Sequence, residues 1–69
     1  MSWFKRQRVQ WIAESVWIFG FINREHIMKK FEVGPATAAA DLRAYREQYP
    51  HAARYNKSAK RYECTGLPN

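Results

Sequence analysis

Apolar residues recur along the first part of the chain with the spacing of an amphipathic helix. The residues that share this stripe are Val9, Ile12, Ala13, Val16 and Phe19. Intervals of three and four residues place them on one helical face. Ser2 is suited to cap the start of such a helix and Gly20 to end it. The pattern therefore predicts a first helix over about residues 3–19.

A second helix is predicted over about residues 24–32, after a short extended link at residues 21–22. Asn23 stands where an N-cap is needed, since its side chain can accept a hydrogen bond from the first helical turn. Ile27, Met28 and Phe31 have the spacing of an inward-facing stripe. His26 is expected to be a polar residue of the first turn.

A third helix is predicted over about residues 35–49. Pro35 suits its first position, because the proline ring fixes a helical φ and the missing N–H would be unpaired there. Ala38, Leu42 and Tyr45 give it a narrow core face. Pro50 ends it. Asp41 is expected to form a local ion pair with an Arg or Lys.

Two strands are predicted after this helix, at about residues 53–56 and 60–64. Each contains one tyrosine, Tyr55 and Tyr62, and the residues between them are polar and basic. The turn contains no glycine, so its geometry stays open, although Asn56 tolerates a left-handed backbone better than most residues. Residues 65–69 read as a loose tail after a single domain over residues 1–64.

The charge of the chain favours a polyanionic partner. Twelve Lys and Arg residues stand against six Asp and Glu residues, a net charge of +6. Most of the excess lies from Arg43 onward, where six cations face two anions. Nucleic acid is the first expectation, and an anionic membrane surface is a weaker one. No apolar run approaches the roughly 20 residues that span a bilayer.

The order helix, short strand, helix, turn, helix, hairpin is that of a winged helix-turn-helix. Residues 23–31 leading into residues 37–45 resemble the amino-terminal domain of bacterial WYL-domain transcriptional regulators, including those linked to phage-defence islands. The hairpin over residues 54–62, Arg-Tyr-Asn-Lys-Ser-Ala-Lys-Arg-Tyr, is similar to the wing of that family. The resemblance covers about residues 9–64 and implies a mainly α fold with a small β-hairpin that binds double-stranded DNA.

Two features depart from that family. Gly34 stands where the family usually has a serine cap, which costs a few tenths of a kcal/mol in capping. The chain also ends where those regulators continue into a ligand-sensing domain, so no small-molecule ligand and no cofactor are expected.

The third helix is expected to enter the major groove and the hairpin to grip the backbone or the minor groove. The expected base-contacting residues are Ala36, Thr37, Ala39, Ala40 and Arg43. The expected backbone and wing contacts are Arg24, Arg46, Arg54, Asn56, Lys57, Ser58, Lys60 and Arg61. The small side chains allow close approach to the groove floor but cannot recognise the hydrogen-bonding groups of the bases well. Arg43 is therefore the best candidate for a contact with guanine. DNA shape is expected to contribute much of the specificity.

The first helix carries more apolar surface than one core face requires. The residues outside its inward stripe are Trp3, Phe4, Trp11, Trp17 and Ile18. Such a stripe on a small domain usually marks a partner surface, and we expect a homodimer through helix 1. Two alternatives stay open, namely that the wing and the tail cover the stripe or that a different protein binds it.

The sequence predicts a DNA-binding transcriptional regulator, most naturally a small repressor from a phage or mobile element. An excisionase-like or architectural DNA-binding protein and a winged-helix module that binds a host protein are the alternatives. An enzyme is not expected, because paired carboxylates, a nucleophile–base pair and a phosphate-binding glycine loop are missing from the sequence. A metal role for His26 or His51 is not expected either. The lone Cys64 and the lack of a signal peptide point to the bacterial cytoplasm, on the nucleoid.

Overall fold

Three helices and three short strands make up residues 2–66, which the computed structural model describes. Helix α1 spans Trp3–Phe19, α2 spans Arg24–Phe31 and α3 spans Pro35–Gln48. Strands β1, β2 and β3 span Phe21–Ile22, Ala53–Asn56 and Arg61–Cys64. The predicted fold class, mainly α with a small β-hairpin, is confirmed. Each predicted helix or hairpin-strand boundary lies within one residue of the observed one.

Both ends of α1 are closed as the sequence predicts. The Ser2 side chain accepts a hydrogen bond from the Lys5 backbone N–H at 3.2 Å. Gly20 has a left-handed φ of 87° and donates its backbone N–H to the Val16 carbonyl at 2.9 Å. Glycine adopts this conformation without the steric cost that a Cβ would add. The chain therefore leaves α1 abruptly and enters β1.

The three strands form an antiparallel sheet in the order β1-β3-β2. The extended link at residues 21–22 is thus a strand of its own, in which Phe21 lies opposite Glu63 and Ile22 opposite Tyr62. The Cys64 backbone N–H also donates to the Gly20 carbonyl at 2.8 Å. These bonds fix the β2–β3 hairpin, called the wing below, against the end of α1.

The core lies where the three helices meet the inner face of the sheet. Its buried apolar residues are Val9, Ile12, Val16, Ile22, Ile27, Ala38, Leu42 and Tyr45. All three predicted core residues of α3 are among them. Burial also raises the pKa of the Tyr45 hydroxyl to about 12, with a smaller contribution from the nearby Cys64 and Tyr49. The tyrosine ring thus fills the core beneath α3.

Two aromatic residues of α1 differ from the prediction. Phe19 was expected to face inward but is exposed, because the packed face of α1 ends at Val16 and the chain turns away at Gly20. Trp11 was expected on the exposed partner stripe, yet it is half-buried against the core. Its ring packs edge-to-face on Phe31 at 5.4 Å, since the end of α2 reaches this side of α1.

Asp41 pairs across the fold, which corrects the expected local ion pair. Arg8 of α1 donates its Nε to one carboxylate oxygen at 2.5 Å and an Nη to the other at 3.3 Å. Asp41 is fully buried, and Arg8 is largely so. The ion pair links α1 directly to α3.

Thr65 is held in place, in contrast to the predicted loose tail. Its hydroxyl donates to the His51 carbonyl at 2.6 Å, and its backbone N–H donates to the Ala52 carbonyl at 3.0 Å. The rest of the predicted tail, residues 67–69, and Met1 of the predicted domain lie outside the described residues.

Candidate nucleic-acid interface

Helix α3 presents a slender outer surface. Ala38, Asp41, Leu42 and Tyr45 point into the protein, so the outer ridge is left to Ala36, Ala40 and Arg43, which follow one another at intervals of three and four residues. Ala36 and Arg43 are exposed and Ala40 is half-buried. A helix with this outline can lie deep in a groove, because no long side chain precedes Arg43 on that ridge.

The start of α2 is closed by a reciprocal capping box. Asn23 accepts the His26 backbone N–H at 3.0 Å, and the His26 ring nitrogen Nδ1 accepts the Asn23 backbone N–H at 3.3 Å. The predicted N-cap is thereby confirmed, and the first-turn histidine completes it. Two otherwise unpaired donors are satisfied, which holds Arg24 at the first position of α2.

An open groove of about 630 Å³ lies between the start of α2, α3 and the wing. Predicted contact residues from all three elements line it: Arg24, Ala39, Arg43, Arg46, Lys60 and Arg61. Five of these six are cations. Among the described residues that line the groove, the single carboxylate is Glu25. The electrostatic potential of the groove therefore favours a polyanion.

The wing turn is built around Asn56 and an unusual backbone at Lys60. The side-chain oxygen Oδ1 of Asn56 accepts the Ala59 backbone N–H at 3.0 Å, and the side-chain Nδ2 of Asn56 donates to Glu63 at 3.1 Å. Lys60 has a φ of 55°, so a lysine adopts the left-handed conformation that was considered for Asn56. The Asn56 side chain is thus committed to the turn.

Glu63, on the middle strand β3, accepts hydrogen bonds from two other residues of the wing. Besides the Asn56 amide, it accepts the Arg61 Nε at 2.8 Å. The hydrogen bond from Asn56 and then that from Arg61 lower the pKa of this carboxyl below its ordinary value. The Arg61 guanidinium also lies 4.4 Å from the centre of the Phe21 ring. Arg61 is therefore a cation already engaged with β1 and β3.

A tyrosine pair connects the wing to α3. Tyr55 and Tyr62 lie directly opposite each other on β2 and β3, with ring centres 4.9 Å apart. The Arg46 guanidinium lies 5.5 Å from the Tyr62 ring centre and donates to the Tyr62 hydroxyl at 3.4 Å. Aromatic cross-strand pairs and cation–π contacts of this kind stiffen a hairpin. The wing and α3 consequently face the groove in a fixed relation.

Several predicted contact residues lie outside this groove. Ala36 and Ala40 are on the outer ridge of α3, and Thr37 is half-buried and does not line the groove. Arg54, Lys57 and Ser58 are exposed on β2 and at the tip of the turn. Among the described residues, neither Arg54 nor Lys57 forms an ion pair, so both remain available to phosphate.

Four further residues line the groove that were not predicted as contact residues from the sequence, namely Glu25, Tyr55, Ala59 and Tyr62. A carboxylate in a cationic groove can accept a hydrogen bond from a cytosine amino group and repels phosphate. The tyrosines were predicted as strand residues, but the contact of Tyr62 with Arg46 joins two elements that are separate in sequence. No local signal reports such a contact.

The comparison with protein families identifies the family to which this domain belongs. The model of the BrxR transcriptional regulator winged helix-turn-helix domain matches residues 5–66. The chain belongs to this family. The match covers α1 from Lys5 onward, all of α2 and α3, and the wing, so the winged helix-turn-helix predicted from the sequence is confirmed. Comparison with curated proteins finds no match.

Membership of the BrxR family gives the domain its general role. A BrxR-type winged helix-turn-helix is a DNA-binding domain of a transcriptional regulator, a non-enzymatic kind of protein. DNA is therefore the polyanion for which this domain is built. None of the helices in residues 2–66 is long and apolar enough to cross a membrane.

Proposed function

We propose that this protein is a sequence-specific repressor that places α3 in the major groove and the wing on the adjacent backbone or minor groove. The observation that carries the proposal is the cationic groove that α2, α3 and the wing form together. Base contacts come from the outer ridge and groove side of α3, namely Ala36, Ala39, Ala40 and Arg43, and from Thr37 in the first turn of the helix. Phosphate contacts come from Arg24, Arg46, Arg54, Lys57, Ser58, Lys60 and Arg61. Asn56 supports the turn that presents them.

The roles of Arg43 and Lys57 differ in this proposal. Arg43 is exposed on the ridge of α3, where a guanidinium can bind a guanine edge bidentately. Lys57 is exposed at the wing tip, beyond the groove, where it meets phosphate alone. Direct readout by the alanine-rich ridge is sparse, so DNA shape supplies a large share of the specificity.

The protein acts as a homodimer through the outer face of α1. Trp3, Phe4, Trp17 and Ile18 are each at least 64% exposed on this helix, which is costly for a lone small domain. A two-fold dimer covers this face and sets two copies of α3 against a palindromic operator. We place the protein in the bacterial cytoplasm, on the nucleoid, as a phage or mobile-element regulator that blocks a promoter.

The first experiment measures binding to DNA from upstream of the protein's own gene and to random DNA, from about 50 to about 300 mM salt. A preference of about a hundredfold or more that survives high salt supports a repressor. With five to seven phosphates engaged, the slope of log K against log salt is about −5 to −6. Equal, steeply salt-sensitive binding indicates an architectural protein instead. No binding indicates a protein-interaction module.

Variants separate the two contact types in the same assay. Arg43→Ala is expected to relax base preference by about 1–3 kcal/mol at one position. Lys57→Ala is expected to weaken binding to every sequence and to flatten the salt slope by about one unit. Gln48→Glu lowers the net charge by the same single unit at an exposed position that lines neither groove and serves as the control. Equal effects of the first two changes on specific and random DNA contradict these roles.

A further inference from the structure

A second groove, apolar in character, lies on another side of the molecule. It has a volume of about 570 Å³ and runs between α1, β1 and α2. Trp11 and Phe19 of α1 form one wall, Phe21 closes one end, and Lys29 and Lys30 of α2 form the other wall. It shares no lining residue with the cationic groove. DNA recognition therefore gives it no role.

The walls of this groove suit an apolar occupant. Ile22 beneath it is buried, whereas Phe19 at its edge is 70% exposed. The two lysines contribute methylene stems to the wall while their ammonium groups remain in water. An exposed phenylalanine beside an apolar groove is a surface that gains free energy when another apolar group covers it.

The opposite end of α1 carries an exposed pair of aromatic residues. Trp3 and Phe4 are exposed, and their rings pack edge-to-face with centres 5.2 Å apart. Neither residue is part of the core or packs against it. The pair forms a projecting aromatic wedge on the same helix that borders the groove.

The positions of the wedge and the groove along α1 suit a two-fold symmetric dimer. Phe4 and Ile18 each lie seven residues from Trp11, or about 10 Å along the helix axis on nearly the same face. If two copies of α1 pack antiparallel about a two-fold axis near Trp11, each Phe4 lies over the Ile18–Phe19 end of its partner. The contact is then made twice, as an isologous interface requires.

We propose that the apolar groove is the binding site for the Trp3–Phe4 wedge of a second copy of this chain, with the two α1 helices antiparallel. This inference rests on the proposed homodimer and specifies its orientation and its contact. The wedge is flanked by Lys5 and Arg6, and the groove by Lys29 and Lys30. Salt therefore screens a repulsion and strengthens the dimer, whereas it weakens DNA binding. An acidic protein partner in the groove would show the opposite salt dependence.

Disulfide cross-linking tests the orientation in a Cys64→Ser background. Gln7 and Glu14 are exposed on the outer face of α1, on either side of Trp11. In the antiparallel pair, Gln7 of one copy lies near Glu14 of the other, while like positions are about 10 Å apart and too distant for a disulfide. A mixture of Gln7→Cys and Glu14→Cys chains is expected to form a covalent dimer on oxidation, and either variant alone is not. Efficient self-linking of Gln7→Cys overturns the antiparallel arrangement.

Sedimentation of the full chain, with and without added salt, tests the contact itself. Phe4→Ala and Phe19→Ala are each expected to weaken dimerisation at least about tenfold, whereas Tyr55→Ala, an exposed aromatic of the wing, is not. Both test residues are exposed, so the fold of the monomer is retained. A dimer unaffected by either change overturns the groove assignment and leaves the homodimer intact. A protein that is monomeric at every concentration overturns both the groove assignment and the homodimer. The DNA titration tests the proposed repressor separately.

Discussion

A buried ion pair connects α3, the proposed recognition helix, to α1, the helix of the proposed dimer surface. Asp41 is fully buried in α3, and Arg8 of α1 meets both of its carboxylate oxygens. A buried carboxylate is tolerated only with such a partner, because the desolvation of the charge is otherwise uncompensated. The pair therefore fixes the depth and rotation of α3 relative to α1.

Removal of one partner is expected to cost more than removal of both. Asp41→Ala leaves Arg8 largely buried without its counter-ion and is expected to destabilise the protein by about 3 kcal/mol or more. The double variant Arg8→Met with Asp41→Leu is expected to lose much less. Urea unfolding monitored by tryptophan fluorescence measures both. Equal losses in the single and the double variant contradict this account.

The sequence could identify Asp41 as a charged residue but could not identify its partner. Charges within one helical turn are neighbours by geometry, and for this reason local pairing was expected. Arg8 lies 33 positions away, and the two side chains meet only because α1 and α3 pack against each other. The same limit explains Trp11, since Phe31 covers it only in the folded chain.

Helix α3 begins without a side-chain cap. Gly34 has an extended backbone at its N-cap, makes no side-chain hydrogen bond, and has open space where a Cβ would be. Gly34→Ser is therefore expected to raise the free energy of unfolding by a few tenths of a kcal/mol. Gly34→Ala, which adds a Cβ but no acceptor, is the matched control and is expected to be less stable than the serine variant by about 1 kcal/mol. Denaturant midpoints that rank alanine above serine contradict the capping argument.

The wing is expected to lose stability in acid. Hydrogen bonds from Asn56 and Arg61 lower the pKa of Glu63 in the folded protein, so the carboxylate favours folding above its ordinary pKa. This contribution is lost as the pH falls from about 5 through the lowered pKa. Glu63→Gln is expected to remove that part of the pH dependence of the melting temperature, and the control Glu47→Gln, on exposed α3, is not. An unchanged profile in Glu63→Gln contradicts the assignment.

Local patterns predicted the elements well because each has a local cause. Ser2, Asn23 and Pro35 act within one helical turn, and all three mark the helix starts seen in the structure. The wing turn could not be predicted in the same way. Its conformation depends on Lys60 at positive φ and on the reach of Asn56 to Glu63 across the hairpin, neither of which has a sequence signal.

At the scale of the whole molecule, the proposed dimer predicts a periodic operator. Two copies of α3 related by a two-fold axis read half-sites about one helical turn, roughly 34 Å, apart. Insertion of about 5 base pairs between the half-sites turns one of them to the far side of the duplex and is expected to abolish cooperative binding. Insertion of about 10 base pairs restores the facing but moves the half-sites roughly 34 Å farther apart, beyond the reach of a rigid dimer, so it is also expected to abolish cooperative binding. Footprinting on the three operators measures this, and equal protection of all three contradicts binding by a rigid dimer.

Of the candidate site, the sequence predicted the cations but not how they are grouped. Arg24, Arg43 and Lys60 come from three elements that are separate in sequence, and they share one groove only in the folded structure. The second groove could not be predicted from the sequence. Phe19 of α1 and Phe21 of β1 line it together with residues of α2, and only the packing of the three elements reveals it.

The strand order β1-β3-β2 has a consequence for how the chain folds as it is synthesised. The middle strand, β3, is the last of the three to leave the ribosome, and it supplies both strand pairings of the sheet. The helices can form earlier, because their hydrogen bonds join residues that are close in sequence, whereas neither strand pairing can exist before β3 is synthesised. The nascent chain can therefore form α3 before it has a wing. In the proposed function, the contacts of the wing with DNA become available only once β3 has been made.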